Sequence, residues 1–151
     1  MSTNAKASFE YLKSAVQTAT PEQLQVMLFD GAIRFSLRGR EAIERKDHEA
    51  TFNNIERAQR IVLEIAGGLK RDVNPEVADR MSALYNFVYR RLVDAVMEHS
   101  TAAVDDALRI LRQERETWQV IVDKLSKEGL RGGAALPTAG TPAAASLSIS
   151  G

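Results

Sequence analysis

From Pro21 to Lys127 apolar residues recur every three or four positions, in four blocks parted by short polar breaks. That spacing is the period of an α-helix with one buried face. The first block opens on Thr-Pro-Glu-Gln, in which Thr20 is an N-cap, Pro21 the first helical residue and Gln23 the return half of a capping box. It is predicted to run to about Glu44. Asp47 caps the second block, which stops at Gly67-Gly68. Asn74 caps and Pro75 opens the third, which continues to about His99. Ser100 or Thr101 caps the fourth, which ends near Lys127. Four helices of this length with short connections pack most simply as an all-α, antiparallel four-helix bundle.

Within the first block, Leu24, Met27, Leu28, Gly31, Ala32, Phe35 and Ala42 form one stripe, taken as the core face. Asp30-Gly31 is a common hairpin dipeptide, but the helical period passes through it unbroken. Gly31 then serves a close helix approach, and Asp30 stands four residues before Arg34, the spacing of an ion pair. The core stripes of the next blocks are Phe52, Ile55, Val62, Ala66 and Leu69; Val77, Met81, Leu84, Tyr85, Val88, Leu92 and Ala95; and Val104, Leu108, Leu111, Trp118, Val122 and Leu125.

A surplus remains. Val26, Phe29, Ile33 and Leu37 form a second stripe on the first block, and the third block adds Tyr89 and Val93 beside its core face. Burying one such side chain is worth roughly 1.5–3 kcal/mol, so several left outside require a reason. Three are open. The helices bury more than one stripe each; the chain associates with itself as a helical scaffold; or its outside binds an apolar, helical segment of another protein. The N-terminal segment 1–19 bears on this, because Phe9, Leu12 and Val16 share a helical face with Tyr11 alongside. A helix that short needs something to lie on, and the second stripe is near. The segment is therefore expected to cap it. Residues 128–151, rich in Gly, Ala, Ser, Thr and Pro, are expected to be a disordered tail beyond the bundle at 20–127.

Composition narrows the classes. Twenty basic and twenty acidic residues balance, so no global field favours nucleic acid or anionic lipid. There is no cysteine, which removes disulfides and thiolate chemistry. No segment resembles a secretory signal or reaches transmembrane length, and a cytoplasmic location is expected. His48 and His99 lie in different blocks without a ligand partner at local spacing. No phosphate loop or nucleophile motif occurs. No enzyme, cofactor or metal site is expected. Arg109, Arg112 and Arg115, interleaved with Glu114 and Glu116, have the pattern of a solvated face, and Arg91 is placed to pair with a carboxylate such as Glu114.

The blocks "TATPEQLQVMLFDGAIRF", "NIERAQRIVLEIAGGL", "LYNFVYRRLVDA" and "LRQERETW" resemble, in order and spacing, the four helical signatures of the flagellar secretion chaperone family FliS. The resemblance spans about Tyr11 to Leu125. It implies a non-enzymatic four-helix bundle that binds the C-terminal region of flagellin in the bacterial cytoplasm. It further implies that premature polymerisation is prevented, and that the subunit is delivered to an export gate component. A regulator of flagellin synthesis is a further candidate partner. The free state is expected to be a monomer or weak homodimer. In that family an N-terminal Tyr, with a Val five residues on, covers part of the client site; Tyr11 and Val16 have this spacing. Val26, Phe29, Ile33, Leu37, Tyr89 and Val93 are then the expected client-binding residues. Phe29 stands where an aromatic hydroxyl is usual, and Ser36 and Gly39 make the first block less apolar than the pattern suggests.

Overall fold

The computed structural model describes residues 2–132, with side chains from 4 to 129. It contains five helices: α1 (Ser2–Thr18), α2 (Pro21–Glu44), α3 (His48–Gly67), α4 (Pro75–Glu98) and α5 (Thr101–Gly132). The packed pairs are α2/α3, α3/α4, α4/α5 and α5/α2, a closed square that leaves α1 outside. Direction follows from cross-links. Asp30 meets Arg115 and Arg40 meets Asp105, so advancing along α2 means retreating along α5. The bundle is antiparallel throughout.

Local chemistry sets the helix starts. The Gln23 amide donates to Thr20 Oγ1 at 3.1 Å, and the Thr20 amide donates back to Gln23 Oε1 at 2.9 Å. Asp47, Asn74 and Ser100 accept from the amides of Ala50, Val77 and Ala103. Each cap satisfies a donor that the first turn leaves free. Helix ends are less regular. Gly68 caps α3 in a right-handed conformation, whereas Lys46 and His99 take left-handed φ values of 59° and 52°.

The core axis of α2 differs from the sequence expectation. Its buried positions are Val26, Phe29, Gly31, Ala32, Ser36, Gly39, Ala42 and Ile43, a line running between the two apolar stripes. A helix at the corner of a square meets two neighbours, so each stripe faces one of them. The stripe with Gly31 and Phe35 turns to α3; that with Ile33 and Leu37 turns towards α5. Phe29 and Val26, expected on the outer surface, are 0 % and 8 % exposed and belong to the core. The Phe29 ring sits 6.2 Å from that of Tyr85, reaching α4 diagonally across the centre. Ile65 and Ile110, which are not members of the expected core stripes, are buried too, while Phe52 and Leu125, placed in the core, are exposed.

Small residues on α2 admit α3. A Cβ on Gly39 would collide with the Ile55 side chain, coming within 2.7 Å of its Cγ1, and one on Gly31 would meet Ile61 Cδ1 at 3.1 Å. Ser36 on the same helix is fully buried as well. Gly39→Ala is expected to lose about 1 kcal/mol, because overpacking of roughly 1–3 kcal/mol exceeds the helix-propensity gain. Gly67 faces open space, so Gly67→Ala should gain about 0.5–1 kcal/mol. Urea midpoints of the two variants, shifting in opposite directions, check this; equal shifts would contradict it.

The far ends also differ from expectation. α5 runs on through Glu128 to Gly132, since an established helix extends at little cost and Lys124 and Lys127 favour its C-terminal dipole. In the register fixed by Arg115 and Asp105, the start of α2 is level with about Lys124, so the last turns of α5 project past it. The remainder of the expected tail, residues 133–151, lies outside the described residues.

Candidate protein-binding surface

Of the six expected surface residues, the structure leaves four outside the core. Ile33 and Tyr89 are partly buried against it, while Leu37 and Val93 are 40 % and 38 % exposed. They do not form one patch. Ile33 and Leu37 line an open depression of about 730 Å³ with Asp30, Arg34, Arg38, Arg40, Glu41 and Glu44. Tyr89 and Val93 belong to α4, which stands at the corner diagonal to α2.

Sequence reasoning missed two further exposed apolar side chains towards the same end of the bundle. Phe52 is 55 % and Met97 74 % exposed. His48, the first residue of α3, and His99, the cap of α4, meet at a 41° tilt with ring centroids 4.4 Å apart. That contact fixes the register, and Phe52, one turn into α3, comes level with the last turns of α4. The histidines thus do meet, although their separation in sequence concealed it. Phe52 offered a signal in hindsight: it lies well round the wheel from Ile55 and Val62.

The expected cover is open. Phe9, Tyr11, Leu12 and Val16 lie on a helix, as their spacing implied, but are 47–73 % exposed, and α1 forms none of the extensively packed helix pairs. The apolar edge of α1 is therefore left largely open to solvent.

Polar contacts frame these faces. Arg40 is held by Asp105 at 2.7 Å and Glu44 at 2.8 Å. Asp30 pairs with Arg115 at 2.7 Å rather than with Arg34, and Arg91 with Asp94 and Asp106 rather than with Glu114. Asp105 and Asp106 at the start of α5 therefore join it to both neighbours. The hydrogen bond from Arg40 holds the Asp105 carboxyl below its usual range. Glu114 is half-buried and accepts the Tyr85 hydroxyl at 3.4 Å. Burial raises the Glu114 carboxyl above its ordinary 4.5, and burial followed by the neighbouring charge raises the Tyr85 phenol.

A carboxyl whose value is raised by folding favours the folded state when protonated. The native protein holds the extra proton, so stability falls as pH rises from about 4.5 through the folded value. Glu114→Gln keeps an acceptor for Tyr85 without the charge. It should melt above the wild type at pH 8, with the gap closing towards pH 4.5; a gap independent of pH would contradict the assignment.

Among the described residues no helix is long and apolar enough to cross a membrane. Comparison with known proteins defines the kind of molecule this is. The family model "Flagellar protein FliS" matches residues 2–125. The chain is 31% identical over 118 residues to the flagellar secretion chaperone FliS of Bacillus subtilis, covering 78% of this chain and 87% of that one. It is 33% identical over 116 residues to that of Salmonella typhimurium, covering 76% and 86%. A solved structure titled as a flagellar chaperone from bacteria shares the fold at a TM-score of 0.64 and 14% identity, over 80% of this chain and 98% of that one. With its square of four helices and a match from end to end of the bundle, the chain belongs to the flagellar secretion chaperone family FliS.

Proposed function

We propose that the chain is a cytoplasmic export chaperone that binds the C-terminal region of flagellin, prevents its premature polymerisation and delivers it to the flagellar export gate. The observation that carries this reading is the family match over residues 2–125. The surface supports it with apolar side chains at two opposite corners of a finished bundle, Ile33 and Leu37 on α2 and Tyr89 and Val93 on α4. A client that reaches both must wrap round the bundle, which suits a long, initially disordered segment. Ordering that segment costs several kcal/mol, which only a large buried area offsets.

Isothermal titration with a peptide spanning the flagellin C-terminus should give a one-to-one complex with a negative heat-capacity change. No binding at high micromolar concentration would remove the reading. The exposed edge of α1 is suited to fold back over the α2 face and compete with the client. Deletion of residues 1–16 should then tighten binding a few-fold, by the fraction of time the cover is closed. An unchanged or weaker affinity would end the cover's role while leaving the chaperone reading intact. A self-associating scaffold instead predicts a stable dimer by light scattering, abolished by Ile33→Asp.

A further inference from the structure

Thirteen arginines have described side chains, and eight of them are in ion pairs. Five are not: Arg34, Arg38, Arg57, Arg90 and Arg112. Three of these five converge on one aromatic ring. The guanidinium carbons of Arg34, Arg38 and Arg57 stand 5.5, 5.6 and 5.6 Å from the Phe35 ring centroid. All three side chains are exposed, and the ring is half-buried at the seam of α2 and α3.

The acids that might have neutralised them are engaged elsewhere. Asp30, one turn before Arg34, is bound by Arg115; Glu41, three residues after Arg38, faces Arg45; Glu56, beside Arg57, is bound by Arg60. Residues 133–151 contain no Asp or Glu. A ring face attracts each cation but neutralises none of them, so the three positive groups repel one another in the free protein.

We propose that the Phe35 face, with Arg34, Arg38 and Arg57, is a docking site for a short acidic segment of a partner protein. Planar guanidiniums laid against a ring keep their N–H edges free for the two oxygens of a carboxylate. A carboxylate between two of them would relieve the repulsion that the free chain retains. The extent of the patch favours a protein over a nucleic acid. It is one ring wide, bounded by Asp30, Glu41 and Glu56, on a chain of zero net charge, whereas nucleic-acid binding uses an extended row of cations. The site adjoins the Ile33–Leu37 depression, whose lining includes Arg34 and Arg38, and differs from it in Phe35 and Arg57. It does not depend on flagellin being the client.

The test uses the full-length chain and a fluorescein-labelled peptide of alternating glutamate and leucine, followed by anisotropy at low salt. The peptide should bind, and the arginine Nε–Hε NMR signals of Arg34, Arg38 and Arg57 should shift on its addition. The triple variant R34Q/R38Q/R57Q should lose affinity about tenfold or more without a lower melting temperature. The triple variant R80Q/R90Q/R112Q, with the same net charge, should bind as the wild type does. Equal loss in both triples would overturn the proposal, as would shifts confined to other arginines. A single-stranded DNA of matched charge binding as tightly as the peptide would also overturn it.

Discussion

Phe29→Ala should cost about 3–5 kcal/mol of folding stability, the range for removing a fully buried aromatic ring. The ring is 0 % exposed and spans the square from α2 towards Tyr85 on α4. Its loss opens a cavity where all four packed helices converge, and none of their backbones can close it without disturbing the others. A domain of this size has roughly 5–15 kcal/mol in total, so the variant should unfold at markedly lower urea. Flagellin binding should fall only in proportion to the unfolded fraction. A variant that keeps its stability but loses the client would instead return Phe29 to the surface role its sequence position suggested.

The outer residues should behave in the opposite way. Leu37→Asp and Val93→Asp each place a charge on a side chain that is already about two-fifths exposed, so each should change stability by no more than about 1 kcal/mol. Each should weaken flagellin peptide binding about tenfold, which corresponds to about 1.4 kcal/mol. Because α2 and α4 are not a packed pair, the two effects should add, giving about a hundredfold loss in the double variant. Titration calorimetry of the four proteins checks this. A client that used one corner only would leave one single variant unaffected.

The sequence disclosed whatever depended on local chemistry. Thr20, Asp47, Asn74 and Ser100 were readable as caps because each acts on an amide three residues away. The helix count, the order and the connections follow from them. The core axis of α2 was less legible, since two of its central positions are Ser36 and Gly39, which no apolar count selects. At Gly39 the reason is the Ile55 side chain on another helix. Long-range pairing was hidden for the same cause: Asp30 had a plausible partner four residues away, yet Arg115 reaches it from α5. His48 and His99 became neighbours only when α3 and α4 were folded against each other. The surface expectation therefore kept its outer members and lost Val26 and Phe29 to the core.

The most direct test of a complete bundle that receives its client on the outside is methyl NMR of the chain, with Ile, Leu and Val labelled, titrated with the flagellin C-terminal peptide. The methyls of Ile33, Leu37 and Val93 should shift with one common affinity, while those of Ile55, Val62 and Val104 in the core stay within small changes. Large shifts of the core methyls, with Leu37 and Val93 unmoved, would mean that the client enters the bundle and would contradict the account.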